Sequence, residues 1–210
     1  MARSSVVIGS DRQNDLVELD DRVTLTAYRA QWDEDFGILF NQLRDALGPI
    51  ALRVDHIGST SVPGLLSKDV IDVQITVERL DRPSIVDAMG TLGFEMRDAD
   101  WNFQDHIPAG WDGDPQLWSK LVFAPPPGTR ASNVHFRISG SPNERYALLF
   151  RDFLRADGPA RMAWGRFKEQ AAENTRNLSQ YGAIKDPATD VLLIMAERWA
   201  EASHWTVPGR

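Results

Sequence analysis

No cysteine occurs among the 210 residues, so disulfide bonds, thiolate catalysis and cysteine-ligated zinc are all excluded. No apolar run approaches the roughly 18 residues of a membrane-spanning helix, and the opening Met1-Ala2-Arg3-Ser4-Ser5-Val6-Val7-Ile8-Gly9-Ser10 lacks a signal-peptide core. A cytoplasmic protein is therefore expected. Positive charge is in deficit, since 23 Lys and Arg face 30 Asp and Glu for a net charge of −7. That balance argues against a broad nucleic-acid surface or a basic membrane patch, while leaving room for a small nucleotide in a local basic pocket. There is no internal repeat, low-complexity tract or linker, and no Gly-Lys-Ser/Thr segment of a P-loop, which excludes P-loop kinase chemistry.

What is present has the balance of an ordinary globular domain, with 42% hydrophobic and 25% charged residues. One domain over residues 22–205 is expected behind a flexible N-terminal arm, residues 1–21. Arg22 to Tyr28 alternates like a strand, and Trp32, Phe36, Leu39, Phe40, Leu43 and Leu47 recur at helical spacing until Gly48-Pro49. Ala51 to Ile57 and Val70 to Val77 read as strands, and Pro83 to Leu92 as a helix. From Phe94 to Pro127 the pattern weakens around Trp101, Trp111 and Trp118, leaving Leu121-Val122-Phe123 as a strand core and the rest as a candidate lid; the tryptophans of the chain read mostly as core, with stacking on a base the alternative for Trp101 and Trp111. Asn133 to Ile138 alternates strictly. Three helical stripes come next, on Tyr146 to Leu154, Ala163 to Ala171 and Leu192 to Trp199, with Pro159 and Pro187 suited to first-turn positions. The fold class is α+β: a mixed sheet backed by helices with a helical C-terminal part.

The segment His56-Ile57-Gly58-Ser59-Thr60-Ser61-Val62-Pro63-Gly64 joins a small-residue turn to a strand carrying one polar face. Gly58 permits a tight turn, Ser59, Thr60 and Ser61 offer hydroxyls, and a short helix starting there would aim N–H groups at an anion. A plain N-capped connection is the alternative. Successive strand residues point to opposite faces, so Asp72, Gln74 and Thr76 share one surface and Asn133, His135 and Arg137 share another. If helices cover only the apolar sides, those polar faces line a cleft beside the turn. There Asp72 is the candidate Mg²⁺ ligand, His135 a candidate ligand or general base, and Lys68 and Arg137 candidate phosphate partners. Gln74 stands where a two-metal site would carry its second carboxylate, so its replacement by Asp or Glu should strengthen metal binding, and Asp55, Asp100 and Asp105 are the other acids available. An ion pair to Lys68 or Arg137 is the structural alternative for Asp72, and a hydrogen-bonded core position that for His56. Lys168 and Lys185 are candidates to reach the cleft from the helical half, with a solvated position as the alternative, whereas Arg151, Asp152 and Arg155 read as packing charges.

The His56-to-Gly64 segment, Lys68, Ile71-Asp72, Asn133-Val134-His135, Leu149-Phe150-Arg151-Asp152-Phe153-Leu154-Arg155 and Lys168 together resemble the GrpB family, from about Val23 to Trp199. The resemblance implies a nucleotidyltransferase-like fold, and a domain that is also found fused to dephospho-CoA kinases in some bacteria. The superfamily pattern of Gly-Ser and then two alternating acids maps onto Gly58, Ser59 and Asp72 but meets Gln74, and Asp69 stands where the family commonly has proline. The function this resemblance implies is a cleft that binds a nucleotide, a CoA-like ligand or another phosphate-containing small molecule. Active Mg²⁺-dependent nucleotidyl transfer and a non-catalytic accessory or folding domain are the alternatives. Gln74, with Gly58, Ser59, Thr60, Lys68, Asn133 and Arg137, completes the candidate ligand-binding set.

Overall fold

The computed structural model describes residues 22–111 and 113–209. The expected arm, residues 1–21, lies outside the described residues. The first helix, α1 (Gln31–Leu47), buries Trp32, Leu39, Leu43 and Leu47 along one stripe and ends at Gly48, whose φ of 51° and the following proline stop it. The sheet comprises β1 (Arg53–Ile57), β2 (Ile71–Val77), β3 (Glu95–Met96), β4 (Leu121–Ala124) and β5 (Ser132–Ile138), in the order β1-β2-β5-β4-β3. Strands β2 and β5 are parallel and every other pairing is antiparallel. Residues 22–28 contribute only an isolated bridge, Thr26 to Ser67, rather than the strand that their alternation suggests.

Register fixes the faces. Ile71, Val73, Ile75 and Val77 lie beside Val134 and Phe136 under α1 and α2 (Arg82–Gly90), and this side forms the larger core with Leu43, Ile85 and Met89. On the reverse side Asp72 pairs with Asn133, Gln74 with His135 and Thr76 with Arg137. That polar side is not left open. Helices α3 (Pro142–Ala156), α4 (Gly158–Glu173) and α5 (Leu178–Ser203) fold back over it, with Ala147 and Leu148 of α3 packed on Ile57 and Val207. Ser141, Asp157 and Asn177 cap these helices by accepting backbone N–H bonds from Glu144, Ala160 and Gln180. Pro159 sits in the first turn of α4 as expected, but Pro187 lies inside a continuous α5. The result is the expected α+β mixed sheet with a helical C-terminal part. Among the described residues no helix is long and apolar enough to cross a membrane.

Candidate functional site

Between the polar sheet face and α3–α5 lies a cavity of about 430 Å³. Gly58, Ser59, Lys68, Asp72, Asn133, His135 and Arg137 all line it, so seven of the nine residues expected at the site are brought together. Thr60 and Gln74 are not among its lining. Thr60 is fully buried beneath the turn, where its hydroxyl meets His56 Nε2 at 3.0 Å and donates to the Val70 carbonyl at 3.3 Å. Gln74 is also fully buried, accepting from Arg137 Nη1 at 2.7 Å and donating to the Glu144 carbonyl at 3.3 Å.

The expected short helix after Gly58 is a single 3₁₀ turn, Ser59–Ser61. Gly58 has a φ of 68°, and a Cβ built there would stand 3.0 Å from the Asp72 Cβ and overlap its Oδ2. Only glycine lets the carboxylate lie against the turn. Arginines of α3 hold both ends of the segment: Arg151 Nη1 donates to the His56 carbonyl at 3.1 Å and Arg155 Nε to the Ser61 carbonyl at 2.8 Å. Helical spacing alone makes these packing charges; their place in the Leu149-to-Arg155 motif is the signal that they hold the turn. Behind it, His56 stacks on Phe36 at 4.7 Å, and burial pulls its pKa down to about 4, which keeps a neutral ring in the core.

Asp72 keeps 31% of its side chain exposed, accepts from Asn133 Nδ2 at 2.9 Å and stands 4.0 Å from His135 Nε2. Desolvation raises its pKa, opposed by the Asn133 bond and the charge of Lys68. Desolvation, reinforced by Arg137 and Lys120, holds His135 far below the usual histidine range, so the ring is neutral. Lys168 is also drawn far from its usual state. Only 3% exposed, it reaches from α4 to donate to Ser59 Oγ at 2.9 Å and to the Leu66 carbonyl. Burial, with Lys185 and Lys68 adding like charge, brings its pKa down to about 7. Lys68 is lowered by burial too, with Asp72 opposing the shift. Tyr146, Phe150, Trp164 and Tyr181 form the aromatic side of the cavity.

Arg137 is less available than the sequence suggests. It donates to Asp105 at 2.7 and 3.1 Å, and the same carboxylate accepts from Lys120 at 2.8 Å and Asn143 at 3.1 Å. Despite burial, Arg137 and Lys120 hold Asp105 well below the usual carboxylate range. Asp105 comes from the 94–127 loop, which thus anchors the sheet rather than standing free as a lid. His106 joins the same loop to Asp190 of α5 at 2.9 Å, and Trp111 packs edge-on to Trp118 at 5.5 Å instead of lining the cavity. Asp69 accepts from Trp32 Nε1 at 2.7 Å and pairs with Arg130, tying the turn before β2 to α1.

These donors do not fit a two-metal centre. Asp72 is the one carboxylate lining the cavity among the described residues. Asp105 is spent on Arg137 and Lys120, and Asp55 lies 2.6 Å from Arg53 and 3.6 Å from Arg151. Asp100 is exposed on the loop. Glu144, a buried acid that no sequence pattern singles out, bonds to Arg53 at 2.9 Å and to Thr76 at 3.2 Å. Among the described residues no three His, Asp or Glu side chains gather as metal ligands.

Comparison with known proteins agrees with this geometry at the level of fold. Residues 22–193 match the family described as GrpB protein. A dephospho-CoA kinase of Mycolicibacterium paratuberculosis is 38% identical over 83% of this chain and 46% of its own length, so the chain spans about half of that relative. A UPF0157 protein of Halalkalibacterium halodurans is 30% identical over 78% of this chain and 76% of its own. The crystal structure of conserved protein GrpB from Enterococcus faecalis superposes with a TM-score of 0.64 at 24% identity, covering 87% of this chain and all of that one. A cytoplasmic RNA terminal U-transferase superposes at a TM-score of 0.44 with 13% identity over 75% of this chain and 48% of its own, too loose a match to argue from. With the motif, the family match and the superposition in agreement, the chain belongs to the GrpB family.

Proposed function

We propose that the cleft binds a phosphate-containing small molecule, a nucleotide or CoA-like ligand, and that binding rather than two-metal nucleotidyl transfer is its task. The observation that carries this is the approach of Lys168 to Ser59 across a cavity that Lys68 and Lys185 also line. Ammonium groups lining one cavity with a turn hydroxyl suit phosphate oxygens, and the aromatic side suits a base or other apolar body. On this reading Asp72 and His135, expected as metal ligand and general base, form a polar floor for the ligand: a carboxylate tied by Asn133 beside a neutral imidazole. The CoA-like option draws on relatives named dephospho-CoA kinases, although a P-loop is missing from this sequence. A cytoplasmic setting suits such a ligand.

A thermal-shift screen tests this, using inorganic phosphate, AMP, ATP and dephospho-CoA with and without Mg²⁺. Binding at about 100 times Kd stabilises the folded state by about 2.7 kcal/mol, enough to move Tm by several degrees. A rise with at least one phosphate compound, lost in Lys168→Met, is the expected result. A flat response to the whole panel would overturn the proposal.

A further inference from the structure

We infer that the cleft takes a phosphomonoester dianion without a divalent cation, with Lys68, Lys168 and Lys185 supplying the positive charge that a metal would otherwise bring. This rests on the phosphate reading above and narrows it to a charge state and a mode of recognition. The charges of the lining do not balance. Together with their ion-pair partners, Lys68, Lys168, Lys185, Arg137 and Lys120 bring five positive charges against the three carboxylates of Asp72, Asp105 and Asp186, and His135 is uncharged. Lys185 has a partner in Asp186 at 3.6 Å, but keeps 34% of its side chain exposed and lines the cavity. The site is therefore short of about two negative charges when every lysine is protonated, and a phosphate monoester near neutral pH carries nearly two. A diester carries one.

The geometry around Asp72 points the same way. One carboxylate oxygen already accepts the Asn133 amide at 2.9 Å, and the other lies against the Gly58 backbone. A Mg²⁺ ion demands near-octahedral oxygen coordination, usually from one or two carboxylates with phosphate and water. Asp72 could give such an ion only a single carboxylate, and the lysine charges repel a cation. Position 74, where a second acid would stand, holds an amide turned to Arg137 and to the Glu144 carbonyl. Lys168 is preset for an anion instead: 3% exposed, directed by the Leu66 carbonyl and touching Ser59 Oγ. Burial and its lysine neighbours pull its pKa down, so an arriving dianion gains most by recharging it.

Isothermal titration of the intact chain with AMP, cyclic AMP and ATP, each in EDTA and in millimolar Mg²⁺, separates the outcomes. AMP should bind with affinity unchanged within about twofold by Mg²⁺. Cyclic AMP, a diester with one charge fewer, should bind about tenfold or more weakly, corresponding to about 1.4 kcal/mol. Lys68→Gln should lower AMP affinity about tenfold while thermal unfolding stays cooperative, since the lysine borders the cavity. Binding of AMP or ATP that tightens tenfold with Mg²⁺, or equal binding of AMP and cyclic AMP, would overturn this inference alone. Absence of binding by all three would overturn the phosphate reading with it.

Discussion

Lys168→Met gives the sharpest test of how the site stores charge. Lys168 has a folded pKa of about 7 against an ordinary value of 10.5, because it is buried beside Lys185 and Lys68, with Asp72 acting in the opposite direction. The sign comes from proton counting. Below about pH 7 both folded and unfolded chains hold the proton, and the full cost of a buried ammonium is present. Between about pH 7 and the unfolded value the unfolded chain holds more protons, so stability rises with pH. Over the interval from about pH 6 to about pH 9 the folded chain releases the proton while the unfolded chain keeps it, and the wild type gains roughly 2–3 kcal/mol from this group alone. Lys168→Met also loses bonds to Ser59 and the Leu66 carbonyl, an offset that does not depend on pH. Urea unfolding of both proteins across that range cancels every titration they share. The wild type should gain roughly 2–3 kcal/mol on the variant from acid to alkaline pH. A difference that stays flat would mean that Lys168 remains charged throughout, and the electrostatic account of the cavity would fail.

The same contacts set other expectations. Gly58→Ala should cost about 3 kcal/mol in chemical unfolding, because a φ of 68° and the Asp72 carboxylate both oppose a side chain there; a loss below about 1 kcal/mol would show that the turn yields freely. Asp105→Asn should cost about 3–5 kcal/mol, since it leaves Arg137 and Lys120 buried without their counter-charge, and a near-neutral result by urea unfolding would refute the anchoring role. Gln74→Glu should lose about 1–3 kcal/mol by setting a carboxylate against the Glu144 carbonyl. It should not raise Mg²⁺ affinity by calorimetry, which reverses the outcome that its sequence position suggests.

Much of the site is legible in the sequence because strand alternation is local. Asp72 with Thr76 on one polar face, and Asn133, His135 and Arg137 on another, come from a period of two once the strands are recognised, whereas the register that sets Asp72 beside Asn133 does not. Gly58 is legible too, though a turn glycine does not reveal that Asp72 lies against it. The rest depends on contacts between distant segments. Gln74 looks like a cleft residue by parity and Thr60 by its place in the hydroxyl-bearing turn, but burial beneath Arg137 and the turn removes them from the lining. Asp105 sits in a loop without periodicity, so its hold on Arg137 across 32 positions leaves no local trace. Helices α3–α5 are readable as amphipathic, yet their return over the polar sheet face, which partly roofs the cleft and buries Lys168, is a choice of tertiary packing. Arg151 and Arg155 show the same limit: helix surface by spacing, clamps on the turn once α3 is docked.

The central claim is that a phosphate group enters the cavity and is met by Lys168. Calorimetric titration of AMP in metal-free buffers of different ionisation enthalpy, slightly above the lysine's pKa of about 7, tests it most directly, because it counts the protons exchanged on binding. Saturable binding with uptake of a substantial fraction of one proton, abolished in Lys168→Met, is the predicted result. Binding with no proton uptake, or the same uptake in the variant, would contradict it.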